Sequence, residues 1–109
     1  MRREFVELES FRKAWDNLNL TDEDLKTLEI ELLNNPEIGA LIQGTGGVRK
    51  MRFAFENQGK SGSARVIYVD FEIKEKLYLL GAYAKNVKES LTQEEKNSLK
   101  KLTTILKQI

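Results

Sequence analysis

The sequence contains neither cysteine nor histidine among its 109 residues. The lack of cysteine excludes disulfide bonds, zinc sites with thiolate ligands and a cysteine nucleophile, and it is consistent with a reducing compartment. The lack of histidine removes the usual general base near neutral pH and the commonest metal ligand. Any catalytic chemistry therefore has to depend on other side chains.

Long apolar runs are also missing. The residues after Met1 are of mixed charge, unlike a secretory signal peptide, and no segment approaches the roughly 20 apolar residues of a membrane-spanning helix. A hydrophobic fraction of 40% is typical of globular proteins, and the length suits one domain over residues 1–109. We expect a cytoplasmic protein without membrane contact.

The net charge of +1 hides a division along the chain. Residues 1–43 contain five basic and ten acidic residues, whereas residues 44–109 contain thirteen and seven. An acidic front and a basic back favour two faces with different partners, with the acidic half turned away from any nucleic acid. The alternative is ordinary charge variation on a solvated surface.

Hydrophobic periodicity predicts seven secondary-structure elements. In chain order they are a strand over residues 2–8, a helix over Ser10–Asn17, a helix from the cap at Thr21 to Asn34, strands over Val48–Phe55, Ala64–Ile73 and Leu77–Ala84, and a helix that opens at Leu91–Glu95 and runs to Ile109. The order β-α-α-β-β-β-α with short turns indicates an α+β fold, with a mainly antiparallel sheet and the helices packed on one face.

Alternation within these elements predicts which residues are buried. In the strand Ala64–Ile73 the predicted core face is Ile67, Val69, Phe71 and Ile73. In the last helix the predicted apolar stripe is Leu99, Leu102, Ile105, Leu106 and Ile109.

Two glycine-bearing segments are predicted as loops. Gly39–Gly47 includes Gly44-Thr45-Gly46-Gly47, which resembles a phosphate cradle only superficially because no helix with a Walker lysine and serine follows it. It is either a turn or a flexible margin of an active site. Glu56–Gly62 is predicted to be a mobile hairpin loop.

Basic residues cluster between Gly44 and Arg65, where Glu56 is the only acid. The basic members are Arg49, Lys50, Arg52, Lys60 and Arg65. Lys50 and Arg52 lie opposite the phenylalanines of their strand and should point outward, whereas Arg49 and Arg65 have the parity of the buried face near strand ends. Such a patch attracts polyanions, and guanidinium groups suit phosphate oxygens. The alternative is a charged face that only keeps the protein soluble.

Tyrosines near this cluster extend the range of possible chemistry. Tyr83, two residues before Lys85, could stack on a base, bind a phosphate or join a proton transfer, with Tyr68 and Tyr78 as alternatives. If RNA is cleaved by its own 2′-hydroxyl, the general base has to be a lysine, a tyrosine or Glu56. The scarcity of carboxylates disfavours a metal, so we expect no metal or other cofactor.

The sequence resembles the RelE/HigB toxins of bacterial type II toxin–antitoxin systems. The resemblance is carried in order by Leu20–Leu25, Asn35–Gly39, Gly44–Phe53, Gly59–Gly62, Arg65–Tyr68, Ala82–Asn86 and Leu91–Thr92. It implies a small RelE-like fold and a metal-independent endoribonuclease that cuts messenger RNA in the ribosomal A site. It also implies a cognate HigA-like antitoxin with a helix-turn-helix part.

The resemblance also implies site residues, carried over by position. The catalytic set is Arg65, Arg52, Tyr83 and Lys50, and the RNA-binding set is Arg49, Lys60 and Lys85. In this reading the two catalytic arginines stabilise phosphoryl charge, and Tyr83 aligns the phosphate or assists proton transfer. Some HigB proteins use histidine, which this chain lacks.

Two other functions are compatible with the same fold. ParE-like toxins inhibit DNA gyrase without cutting RNA, and a non-catalytic module would bind nucleic acid and yield no product. The cluster of basic residues with a tyrosine favours the nuclease, because a gyrase inhibitor needs no phosphoryl-transfer site.

Overall fold

A computed structural model of the chain describes residues 2–57, 60–85 and 90–109, with only the backbone given for residues 57, 60 and 61. Its elements are β1 (Glu4–Glu7), α1 (Glu9–Asn17), α2 (Asp22–Asn34), β2 (Ala40–Leu41), β3 (Val48–Asn57), β4 (Lys60–Phe71), β5 (Lys76–Ala84) and α3 (Gln93–Gln108). The predicted α+β class is confirmed.

The strands form one five-stranded sheet in the order β1-β5-β4-β3-β2. Only the pairing of β1 with β5 is parallel, so the mainly antiparallel sheet is also confirmed. Strand β2 lies inside the segment predicted as the loop Gly39–Gly47. Strands β3 and β4 extend into the segment predicted as the loop Glu56–Gly62, and residues 58 and 59 lie outside the described residues.

The helices cover both faces of the sheet, so the prediction that they pack on one face was wrong. Helices α1 and α2 pack on the face of β3, β4 and β5 that presents Phe53, Val66, Tyr68, Leu77 and Leu79. Helix α3 packs on the opposite face, which presents Val48, Ile67, Val69, Tyr78 and Leu80. We call these the hairpin face and the α3 face.

Strand β4 explains this difference, because both of its faces are apolar. Val66 and Tyr68 are buried on the hairpin face, and Ile67 and Val69 are buried on the α3 face. A strand covered on both sides reads as a continuous apolar run instead of an alternation. The predicted core position Ile73 is fully exposed in the turn after β4.

The apolar stripe of α3 was predicted correctly only in part. Leu99, Leu102 and Leu106 pack on the sheet, whereas Ile105 and Ile109 are exposed. Thr103, which was not part of the predicted stripe, is buried between Leu102 and Leu106 in the helix sequence.

Capping boxes open α2 and α3, at the two helix starts that the sequence predicts. The Thr21 hydroxyl accepts from the Asp24 amide at 3.1 Å, and the Asp24 carboxylate accepts from the Thr21 amide at 2.9 Å. Thr92 and Glu95 make the same pair of bonds at 3.1 and 2.8 Å. Each box satisfies two amide groups that a helix start leaves without intrahelical partners.

The Gly44–Gly47 segment is a structural turn against α3. Gly46 has a φ of +79°, and a Cβ atom there would lie 3.2 Å from the Cγ2 atom of buried Thr103. Thr45 is buried, and its hydroxyl donates to the Ile42 carbonyl at 2.6 Å and accepts from the Val48 amide at 3.1 Å. The turn interpretation is thus the one that the contacts support.

Two basic side chains fix one end of the sheet, where β4 ends. Arg3 forms a two-pronged bond with Asp70 of β4, at 2.6 and 3.1 Å, and both side chains are largely buried. This hydrogen bonding to Asp70 raises the pKa of the Arg3 guanidinium. Past Phe71, in the turn at this same end of β4, the Lys74 ammonium donates to the carbonyls of Leu106, Lys107 and Ile109. A cation at the C-terminal carbonyls of a helix is favourable, so Lys74 holds the end of α3 to the sheet.

Tyr68 is a structural residue of the hairpin face. Its side chain is fully buried, and its hydroxyl donates to the Pro36 carbonyl at 2.7 Å and accepts from the Gly39 amide at 3.0 Å. Burial raises the pKa of this hydroxyl. Tyr68 therefore ties the segment after α2 to the sheet and is engaged away from solvent.

We predict that Tyr68→Phe lowers the free energy of unfolding by about 1–3 kcal/mol, because it leaves a buried carbonyl and a buried amide without their partner. Urea unfolding followed by circular dichroism measures the change. Tyr78→Phe is the matched control, since the Tyr78 hydroxyl makes no hydrogen bond within the described ranges. Equal losses in the two variants would contradict this role for the Tyr68 hydroxyl.

The same substitution has a pH signature. The raised pKa means that the unfolded chain loses the Tyr68 proton before the folded chain does. The wild-type protein should therefore lose stability as the pH rises above about 10, and Tyr68→Phe should lose less over the same range.

Candidate functional site

Three predicted site residues from three strands lie side by side. Arg52 of β3 pairs in register with Arg65 of β4, and Arg65 pairs with Tyr83 of β5. Direct cross-strand partners have Cα atoms about 4.5–5.5 Å apart. We call this set the Arg–Arg–Tyr row, and it lies on the α3 face of the sheet.

A β-bulge places Tyr83 on this face. Ile67 pairs with Gly81 while the next residue, Tyr68, pairs with Leu79, so Leu80 is an extra residue in β5. Leu80 and Tyr83 consequently share the α3 face although they are three positions apart. Bulges commonly redirect a side chain beside a functional site. Without it, the alternation would turn Tyr83 to the hairpin face.

The two arginines of the row are accessible to solvent to different degrees and lack ion-pair partners in the described residues. Arg52 is exposed and Arg65 is half-buried. The Nη1 atom of Arg65 is buried and has no hydrogen-bond partner in the described part of the chain, and neither arginine forms an ion pair there. Two cations placed directly opposite each other repel. An oxyanion bound between them would relieve the repulsion and supply the missing acceptor.

The position of Arg65 relative to Arg52 differs from the one predicted from strand alternation. The predicted core parity is right, since Arg65 shares its face with Ile67 and Val69. Arg52 lies on the same α3 face, since it is the direct cross-strand partner of Arg65. A core face and an outward face could not be told apart by parity, because both sides of β4 are buried. The two arginines are neighbours and do not lie on opposite sides of the sheet.

The predicted lysines lie around the row. Lys50 is half-buried in the next cross-strand row, paired with Ile67. Lys85 is exposed directly after β5, two residues past Tyr83. The backbone of Lys60 lies at the start of β4, and its side chain falls outside the described residues.

Arg49 does not join this group. It pairs in register with Tyr68 of the hairpin face, and its Nη1 atom donates to the Gly39 carbonyl at 2.8 Å and to the Glu37 carbonyl at 3.4 Å. Its guanidinium holds the segment after α2. The structure thus places Arg49 on the hairpin face, apart from the Arg–Arg–Tyr row.

Two hollows adjoin the row. One, of about 470 Å³, is lined by Arg52, Glu56 and Ser63 among others, which puts a carboxylate and a guanidinium at one depression. The other, of about 510 Å³, runs between β5 and the N-terminal half of α3 and has Tyr83 in its wall. Sequence reasoning missed the second hollow and Glu94 at its edge, since Glu94 read only as part of a helix start.

The acidic half of the chain covers the other side of the sheet. Arg12 of α1 bonds the carboxylates of Asp16, Glu7 and Asp22 at 3.0–3.2 Å, which raises its pKa. Helices α1 and α2 lie on the hairpin face, and the Arg–Arg–Tyr row lies on the α3 face. The predicted charge division is therefore also a spatial one.

Two features that would suggest other functions are missing from residues 2–57, 60–85 and 90–109. No group of three or more potential metal ligands (His, Cys, Asp or Glu) comes together there. None of the helices in these ranges has the length and apolar character needed to span a bilayer.

Comparison with known proteins identifies a family. The model of a family described as the RelE toxin of the RelE/RelB toxin–antitoxin system matches residues 5–109. The fold is similar to that of a mutant of the E. coli toxin RelE in the free state, with a TM-score of 0.56 and 20% sequence identity. The alignment covers 82% of this chain and 90% of that chain. The RelE-like fold implied by the resemblance is confirmed.

We predict that Arg52→Gln leaves the free energy of unfolding unchanged or raises it by up to about 1 kcal/mol, because it removes the repulsion from Arg65. The same change at a paired arginine, Arg3→Gln, should instead cost about 1.5–3 kcal/mol, since it breaks charged hydrogen bonds to Asp70. Urea unfolding of both variants measures the contrast. Similar losses would show that Arg52 is a structural residue.

Proposed function

We propose that this chain, which belongs to the family of RelE toxins of RelE/RelB toxin–antitoxin systems, is a ribosome-dependent endoribonuclease. It cuts messenger RNA in the ribosomal A site and thereby stops translation in the cytoplasm. The observation that supports this proposal best is the Arg–Arg–Tyr row, with its buried and unpartnered Arg65 Nη1 atom.

The row suits the electrostatic part of RNA cleavage. When the 2′-hydroxyl attacks the neighbouring phosphorus, negative charge builds up on the phosphoryl oxygens, and donors already in place stabilise that charge best. Arg52 and Arg65 are cross-strand partners, so two guanidinium groups extend from adjacent strands on the same face of the sheet. Tyr83, next in the row, can orient the phosphate or take part in proton transfer.

The general base is one of three groups beside the row. Lys50 lies one row away on the same face, Tyr83 lies in the row, and Glu56 shares a hollow with Arg52. Lys60 and Lys85 are assigned to RNA binding, whereas Arg49 is left out because its guanidinium is used within the fold.

Dependence on the ribosome follows from what the row does not supply. The chain contains no histidine, so acid–base catalysis in it is weak near neutral pH. Holding a message in the reactive geometry can itself contribute many powers of ten to the rate. A ribosome that presents the codon in a fixed conformation would provide that contribution.

The antitoxin of the family completes the proposal. We assign to this toxin a cognate HigA-like antitoxin that neutralises it and carries a helix-turn-helix part for repression of the shared operon. The proposed reaction uses no metal held by the protein, since β3 and β4 each supply an arginine where a metal would otherwise neutralise charge.

We predict that the protein produces new RNA ends at the A-site codon of ribosomes stalled on a defined message, as read by primer extension. Arg65→Ala should lower the cleavage rate by about 100-fold or more, because it removes a donor to the developing charge. Arg2→Ala is the matched control, since Arg2 is an exposed arginine next to β1, remote from the row. It should cut at the wild-type rate.

The controls separate this function from its alternatives. Naked message should stay intact, because the ribosome positions the substrate. A wild-type protein that leaves the message whole and translation unimpaired would exclude the nuclease, and gyrase inhibition would then be the next assay. RNA binding that weakens steeply with salt but gives no product would indicate a non-catalytic module.

A further inference from the structure

The larger hollow beside the row has the form of a ligand groove. Its volume of about 510 Å³ lies within the usual range for small-ligand clefts. One wall is the α3 face of β4 and β5, with Ile67, Leu80 and Tyr83, and the other is the N-terminal half of α3, with Leu99 and Leu102. Tyr83 belongs both to this wall and to the Arg–Arg–Tyr row. The groove is therefore adjacent to the proposed phosphate position at Arg65.

The lining combines apolar walls with a polar rim. The side chains of Leu80, Leu99 and Leu102 are apolar, while Glu94 and Ser98 are exposed at the opening. Flat apolar surfaces beside an aromatic ring suit the faces of a nucleobase, and polar groups at the rim suit its edge. A phosphate at Arg65 and a base in the groove would be adjacent parts of one nucleotide.

The two carboxylates of the groove are not equivalent. Glu95 is used in the capping box, where its carboxylate accepts from the Thr92 amide at 2.8 Å. Glu94 has no hydrogen-bond partner or ion pair in the described residues and lines the groove. An ionised carboxylate only accepts hydrogen bonds, so it prefers a base edge that presents donors. Guanine presents two adjacent donors, its ring N–H and its amino group, and a carboxylate can accept from both at once.

We propose that the groove between β5 and α3 is a base-recognition site that holds a nucleobase of the message next to the scissile phosphate, and that Glu94 selects guanine there. The inference rests on the proposed nuclease function and adds a determinant of specificity to it. It assigns the phosphate to Arg52 and Arg65, the stacking surface to Tyr83 and the apolar walls, and the edge contact to Glu94.

Charge distribution favours RNA over a protein segment as the occupant. Tyr83 in the groove wall is the cross-strand partner of Arg65, which in turn pairs with Arg52, and the exposed Lys85 follows two residues after Tyr83. A polyanion is therefore attracted to the side of the groove that adjoins the row. A purely apolar helix from a partner would bury the groove but leave the arginines without counter-ions. A nucleotide would place its base in the apolar groove and its phosphate at the arginines.

The experiment measures cleavage rates on stalled ribosomes that carry messages with each of the four bases at every position of the A-site codon. Ser98→Trp fills the groove from an exposed helix position, and Asn97→Trp adds the same side chain at the neighbouring exposed position, which does not line the groove. Glu94→Gln removes the carboxylate, and Glu23→Gln makes the same change on the exposed surface of α2.

We expect the wild-type protein to prefer guanine at one codon position. Glu94→Gln should lower that preference about fivefold or more, with little change in cleavage at the other bases. Ser98→Trp should reduce cleavage of all messages and flatten the preference, whereas Asn97→Trp and Glu23→Gln should match the wild type. Circular dichroism and urea unfolding confirm that the four variants are folded.

Each other result has a distinct meaning. Wild-type cleavage with a base profile unchanged by Glu94→Gln and Ser98→Trp would overturn the base-recognition site and leave the nuclease intact. Unchanged cleavage by Ser98→Trp with loss of neutralisation by the antitoxin would assign the groove to a protein segment instead. A wild-type protein that cuts no message would remove the nuclease function itself.

Discussion

In β4, successive side chains point to opposite sides of the sheet, and helices cover both sides. The packing of α1, α2 and α3 therefore depends on this one strand. Each buried Val or Ile side chain contributes about 1.5–3 kcal/mol. In β4 three such residues, Val66, Ile67 and Val69, hold the helices to one sheet together with the buried Tyr68. Repulsion between Arg52 and Arg65 costs at most about 1 kcal/mol. The core is therefore large enough to keep an unfavourable pair of charges in place.

The bulge at β5 links this core to the proposed chemistry. The extra residue Leu80 fills the core under α3, and the same irregularity turns Tyr83 to the side of Arg65. One local change in register thus supplies both packing and a three-residue row. Helix α3 then borders the row with a groove, while the acidic helix α2 lies with α1 on the far side, where it does not repel a polyanion.

Much of the fold was predictable from local signals. The helix starts at Thr21 and Thr92 are marked by short-range patterns, and the structure contains a capping box at each. The two-residue strand β2 was missed because only its pairing with β3 defines it. Opposite helix faces were missed because the run of apolar residues in β4 was read as an alternation.

The site shows the same limit more sharply. Arg52, Arg65 and Tyr83 were predicted as site residues from the sequence. That they are direct neighbours depends on the length of the β3–β4 hairpin and on the bulge in β5, which no local sequence pattern marks.

The proposed cleavage at the row is tested most directly by the chemical ends of the RNA products. We predict a 2′,3′-cyclic phosphate and a 5′-hydroxyl, with no cut where the 2′-hydroxyl before the scissile bond is replaced by hydrogen. A 5′-phosphate end, or cleavage of that deoxy-substituted message, would contradict attack by the 2′-hydroxyl.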